Sequence, residues 1–181
     1  IFTIRKRIMR IKGNIFLGKE NKIEGNSVER WSNVLLVAFG QKKMFKKPFP
    51  AVMHLFIYVG FLVINLEVLE FVVDGLAGTH RIFAPFLGAF YNVLMNIFEF
   101  LAVAVLLACL VFLIRRNVVR VPRFWSAEMT AWPRLDANLI LITEIILMLA
   151  ILTMNAADQV LQTQDEHYAQ TGPLFFSSFL I

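Results

Sequence analysis

The sequence predicts an all-α membrane protein: a bundle of three full transmembrane spans with an amphipathic helix lying at the interface beside them. Three observations predict it. Of 181 residues, 58% are hydrophobic and 17% charged, and the mean hydropathy is +0.66. A soluble domain carries about 25% charged residues and about 45–50% apolar ones, so a chain this apolar points to lipid as its solvent. The second observation is three apolar runs of the length a bilayer demands. The third is a one-sided distribution of positive charge.

A spanning helix needs about 20 mostly apolar residues at 1.5 Å each. The first span is expected over 51–73, begun by Pro48-Phe49-Pro50. The second is expected over 87–114, ending sharply at Arg115-Arg116. The third is expected over 137–156, with Asp136 as its N-cap behind Trp132-Pro133. A signal peptide has one shorter apolar core and does not account for three.

Orientation follows from Lys and Arg. Twelve precede Pro48, five lie between the second and third spans (Arg115, Arg116, Arg120, Arg123, Arg134), and only Arg81 lies elsewhere. The segment after the third span carries Asp158, Asp165 and Glu166 with no cation. By the positive-inside rule the basic side is cytoplasmic, and Trp31, Trp125 and Trp132 all fall there. Membrane topology therefore explains the net charge of +5, and no nucleic-acid partner is expected. Residues 1–50 read as a basic cytoplasmic segment, and 51–181 as the transmembrane module. Within the first, Ile1–Ile11 reads as the end of a preceding span. Ser27–Phe39 reads as the interfacial helix, with Val28, Trp31, Leu35, Ala38 and Phe39 on one face and Gly40 as C-cap. That helix is a membrane anchor or a docking surface for a soluble partner. The chain opens on Ile1 and closes on Leu180-Ile181 in an apolar run, so it is expected to be a fragment.

Ionisable groups inside spans are costly and usually functional. His54 lies about 5 Å into the first span by helical rise. A neutral imidazole there can ligate haem iron, or it is an interfacial histidine bonded to backbone or headgroups. Tyr58, Phe61 and Asn65 continue its face at helical spacing. A helix ligating two stacked haems would carry a second His where Asn65 stands. Glu99, preceded by Asn96 and Asn92, falls mid-span, and Glu144 lies about 10 Å into the third span. Both read as part of a proton path or quinone pocket, or as neutral acids bonding between helices. Glu67 and Glu70 read as interhelical hydrogen-bonding groups reaching the outer interface. His80 and His167 read as solvated outer-loop histidines, with a shared metal site conceivable. The lone Cys109 reads as a small apolar residue, which excludes a disulfide framework or cysteine metal site. No nucleophile–base constellation or phosphate-binding loop is present.

Several separated blocks carry a family resemblance: Gly40-Gln41-Lys42-Lys43-Met44-Phe45-Lys46-Lys47-Pro48 leading into Ala51–Phe61, Asp74-Gly75 with Thr79-His80-Arg81-Ile82-Phe83, Arg123-Phe124-Trp125-Ser126, Leu135–Ile140, and Met154-Asn155-Ala156-Ala157-Asp158. Together they resemble bacterial membrane-bound Fe–S oxidoreductases related to heterodisulfide reductase. In that family a module similar to the cytochrome b (gamma) subunit of respiratory nitrate reductase precedes a cytoplasmic domain with two 4Fe–4S clusters. The resemblance implies a five-span module in the bacterial inner membrane, with one span before Ile1 and one after Ile181. It implies haem b near the cytoplasmic face with His54 as one axial ligand, the partner histidine belonging to the absent last span. Tyr58, Glu99 and Glu144 become candidates for the haem or quinone surround. The clusters would lie in parts not present in this chain, and the implied partners are quinone, an Fe–S domain or subunit and possible membership of a larger respiratory complex. Asn65 departs from a two-haem pattern. The alternative expectation is a non-redox membrane anchor or interaction subunit that docks a soluble enzyme.

Overall fold

The computed structural model describes residues 2–18, 25–42, 44–129, 132–164 and 167–181, with the side chain of Glu128 left out. Lys19, Lys22, Lys43, Asp165 and Glu166, which entered the charge pattern, lie outside the described residues, as does Ile1. The described residues are helical with no strand among them. The chain divides into two compact units, Ile1–Lys46 and Lys47–Ile181, close to the expected boundary at residue 50.

In the first unit, α1 (Phe2–Ile15) buries nothing. Helix α2 (Ser27–Asn33) is N-capped by Asn26, whose side chain accepts the Val28 N–H at 3.0 Å. It continues into a π-helical turn over Val34–Phe39. Gly40 closes that turn by donating to Leu35 O at 2.7 Å, but its φ is −75°. The left-handed residue is Gln41, at φ 50°. The wider π turn holds one more residue than an α turn, which moves the left-handed position one residue past the glycine. Val28, Trp31, Leu35 and Phe39 are all exposed.

The second unit contains three helices long and apolar enough to cross a membrane, α3 (Pro48–Ala77), α5 (Ala89–Asn117) and α6 (Trp132–Leu161). A single-turn α4 (Ala84–Leu87) precedes α5. The helices overrun the expected spans at most ends because their start and stop signals stand outside the apolar runs. Pro48 opens α3 at its first position, where the missing N–H would have no intrahelical acceptor. Pro133 sits equally early in α6. Asp136 is thus inside the helix rather than at its cap. At the far end of α3, Gly78 adopts φ 66° and donates to Asp74 O, a left-handed C-cap.

Helix α5 is the central one, packed by α3 on one side and α6 on the other. Its buried positions Tyr91, Met95, Phe98, Ala102, Val105 and Cys109 recur three and four apart, as a helix with a continuous buried face requires. Small residues set the close approach: a side chain at Gly60 of α3 would overlap Val105 of α5. The core joins Ile64, Leu101, Val105, Met148, Ile151 and Leu152. The remaining faces carry exposed Phe61, Leu62, Phe100, Leu139 and Ile146, as lipid-facing surfaces do.

One end of the unit carries the basic residues. There Asn117 and Asn138 exchange side-chain hydrogen bonds at 3.0 and 3.3 Å, which ties α5 to α6. Trp125 Nε1 donates to Arg116 O at 3.2 Å, and the Arg134 guanidinium stacks 3.5 Å from the Trp125 ring centroid. The last segment starts at the opposite end and returns into the bundle, where Leu174 and Ser177 are buried.

Candidate functional site

The histidine singled out from the sequence stands near the basic end of α3. His54 is exposed on its helix, and its described contact is the Phe112 ring of α5, centroid to centroid 6.4 Å. Tyr58 is half-buried one turn further on. Asn65, at the end of the same face, donates its amide back to Phe61 O and so is occupied by its own helix. His54 therefore offers a free imidazole on an apolar face.

Glu144 does not join it. It is half-buried on α6 at the level of Cys109, and Cys109 packs as a small core residue, 1% exposed. Nor does Glu99, which lies about 15 Å along α5 from Ala89 by helical rise. Its carboxylate accepts the backbone N–H of Phe176 at 2.8 Å and of Ser177 at 3.2 Å, and meets the Ser177 hydroxyl. Asn96, one turn away, accepts the Phe175 N–H at 2.9 Å and donates to Pro173 O at 3.3 Å. The polar residues of α5 thus hold the returning segment.

The densest polar constellation lies toward the non-basic end, around a residue the sequence reading left in a loop. Asp74 builds that loop. Its carboxylate accepts from the Thr79 hydroxyl at 2.7 Å, the Arg81 N–H at 2.8 Å and the Ile82 N–H at 3.1 Å. Arg81 is held at φ 54°, a left-handed conformation that is uncommon for a non-glycine residue and is held here by those hydrogen bonds. Its side chain consequently turns into the bundle and is 3% exposed. The guanidinium meets Asp158 Oδ2 through Nη2 at 2.9 Å and Nε at 3.2 Å. It also donates to Asn155 Oδ1 at 3.0 Å and to the Tyr91 hydroxyl at 3.4 Å. Burial by itself lowers the Arg81 pKa, but Tyr91 and Asp158 beside it outweigh that and raise it above the ordinary arginine value.

Glu67 and Glu70 were expected to reach the interface, yet they are 0% and 1% exposed. They lie on the α3 face that carries Gly60 and Ile64, and α5 and α6 cover it. The interhelical bonding expected of them is present: Tyr91 donates to Glu70 at 2.6 Å, and Asn155 donates to Glu67 Oε1 at 3.0 Å. Glu70 also accepts the Phe83 N–H at 3.0 Å. Glu67 Oε1 lies 3.8 Å from Arg81 Nη1, and its Oε2 is buried with no hydrogen-bonding partner among the described residues.

His80 is not a free loop histidine. Ala169 N–H donates to Nδ1 at 2.9 Å, which leaves the ring proton on Nε2, 2.6 Å from Asp158 Oδ1. Tyr168 packs on its ring at 4.7 Å, and His167 packs on Tyr168 at 5.9 Å. Among the described residues no group of three or more His, Cys, Asp or Glu could hold a metal ion. Beside the cluster, Pro85, Tyr91, Asn92, Thr171 and Gly172 line an open cavity of about 560 Å³.

Two signals in the sequence could have pointed to this cluster. Arg81 is the sole cation outside the basic stretches, and Glu67 and Glu70 fall at helical spacing with Gly60 and Ile64. Its depth is set by tertiary contacts 74 to 88 positions apart. No protein-family model, curated protein or solved structure matches the chain.

Proposed function

We propose that the chain is part of a membrane electron-transfer module of a bacterial inner membrane. It passes electrons between quinone and cytoplasmic Fe–S clusters carried outside this chain, through a b-type haem near the basic, cytoplasmic end. The observation that carries this reading is His54: an imidazole inside an apolar helix, with the Phe112 ring as its ring contact among the described residues. Groups of this kind in a span are costly unless they have a partner or a ligand. The sequence resemblance to heterodisulfide-reductase-related Fe–S oxidoreductases supports the same reading.

The residues fit one axial position of a haem. His80 cannot supply the other. It follows the far end of α3, where Ala77 lies about 35 Å from His54 by helical rise, and both its ring nitrogens are engaged. A bound haem supplies one-electron redox chemistry. His54 would hold it through a ring nitrogen, with Phe112 and Tyr58 as its apolar and polar surround. Glu144 would be a more distant polar neighbour on α6, and Glu99 belongs to the anchoring of the last segment.

The test is the dithionite-reduced minus oxidised visible spectrum of the full-length protein, wild type beside His54→Ala. A b-type band present in the wild type and absent from a folded variant is the expected result. A well-folded wild type without the band would refute the haem reading.

The first unit favours a second reading. Its exposed Trp31, Leu35 and Phe39 are followed in sequence by Lys42 and Lys46, as in an interfacial anchor. A haem-free protein that still binds anionic vesicles through this unit would be a membrane anchor or docking subunit.

A further inference from the structure

The buried cluster around Arg81 is unbalanced. Four carboxyl groups, Glu67, Glu70, Glu99 and Asp158, are each no more than 8% exposed, and Arg81 is the arginine buried among them. Three of the four are supplied with donors. Asp158 takes the Arg81 fork, His80 Nε2 and the Gln162 amide at 2.9 Å. Glu70 takes the Tyr91 hydroxyl and the Phe83 N–H. Glu99 takes two backbone N–H groups and the Ser177 hydroxyl. Each therefore has what a buried carboxylate requires.

Glu67 is the exception. One oxygen has a single amide donor, Asn155 Nδ2, and the other has none among the described residues. Arg81 Nη1, 3.8 Å away, is beyond hydrogen-bond distance and its charge is already matched by Asp158. An ionised Glu67 would add a fourth negative charge to a cluster holding one guanidinium, in a part of the chain shielded from water. A neutral carboxylic acid at that position has no such cost.

We propose that Glu67 is a proton-binding site, with Oε2 carrying an exchangeable proton inside the bundle. The reaction is one proton onto or off that oxygen, with no other bond changed. The groups facing it are Glu70 on its own helix, Tyr91 and Glu99 on α5, Asn155 and Asp158 on α6, and Arg81 from the loop, with His80 behind Asp158. The inference rests on this geometry and holds whether or not His54 carries a haem.

Infrared spectroscopy of the full-length protein in detergent tests it, with wild type, Glu67→Gln and Glu70→Gln compared. The wild type is expected to show a carboxylic-acid C=O band, separate from the carboxylate bands, that shifts on transfer to D2O. Glu67→Gln is expected to lose that band and to melt close to wild type, because a neutral amide replaces a neutral acid of the same shape. Glu70→Gln is expected to keep it. The same band in wild type and Glu67→Gln, its loss in Glu70→Gln instead, or its absence from wild type would each overturn the assignment. So would a Glu67→Gln protein melting far below wild type, since that is the behaviour of an ionised partner of Arg81.

Discussion

Arg81 and Asp158, 77 positions apart in the chain, meet through a fork in which Nη2 and Nε both approach Oδ2, at 2.9 and 3.2 Å. The contact ties the loop after α3 to the last turns of α6, and both side chains are at least nine-tenths buried. Removing one partner of such a pair leaves an uncompensated buried charge. We expect Asp158→Asn or Arg81→Leu to cost about 3–5 kcal/mol and to lower the melting temperature accordingly. The double variant Arg81→Leu/Asp158→Asn should lose clearly less than the two single losses added together. Thermal unfolding of the four proteins in one detergent checks it, and strict additivity would refute the coupling.

Glu99 makes a different kind of tie, from the middle of α5 to the end of the described chain. Its carboxylate gathers the N–H groups of Phe176 and Ser177 with the Ser177 hydroxyl. Glutamine keeps one acceptor oxygen and turns the other position into a donor facing donors. Loss of hydrogen bonds to a charged group costs about 1.5–3 kcal/mol. Amide exchange across 174–178 should therefore quicken by about 10- to 100-fold in Glu99→Gln, while exchange in the centre of α3 stays as it was. Hydrogen–deuterium exchange with mass spectrometry reads both regions in one experiment. Unchanged exchange at 174–178 would mean that Leu174, packed against Tyr91, Met95 and Phe98, holds the segment by itself.

Gly60 sets the distance between α3 and α5, because any Cβ there meets the Val105 side chain. Gly60→Leu should cost about 1–3 kcal/mol by overpacking, and the effect should be smaller in a Val105→Ala background where the opposing methyls are gone. If Val105→Ala gives no relief, the helices are not in contact at that level.

The parts of this architecture that were legible in the sequence depend on local pattern. Spans are expected where about 20 apolar residues run together, and a helix covers nearly all of each such run. Errors at the ends came from residues such as Asp74 and Arg116, polar groups that continue a helix because its cap lies further out. The polar cluster was not legible for a different reason. A single loop arginine reads as solvated, and only the Asp74 carboxylate with the left-handed backbone at Arg81 turns it inward. In the same way, Glu99 reads as part of a proton path or quinone pocket or as an acid bonding between helices, and a segment 77 positions later supplies its donors. His54 is the reverse case. Its place near the end of a span was evident from the sequence, and its nitrogens have no hydrogen-bonding partner among the described residues.

That freedom makes the two span-flanking histidines distinguishable. His54 is exposed and, among the described residues, has its ring contact with Phe112, so His54→Ala removes little packing and should leave the melting temperature of the haem-free protein nearly unchanged. His80 accepts from Ala169 N–H and reaches Asp158 at 2.6 Å, so His80→Ala should lower it by an amount typical of a lost buried hydrogen bond to a charged group, about 1.5–3 kcal/mol. The spectral effects should run the other way. If His54 is a haem ligand, His54→Ala loses the b-type band while remaining folded, whereas His80→Ala keeps the band while less stable. Paired melting curves and reduced-minus-oxidised spectra on the full-length protein separate these effects. A band lost with His80→Ala and retained with His54→Ala would move the redox centre to the opposite end of α3.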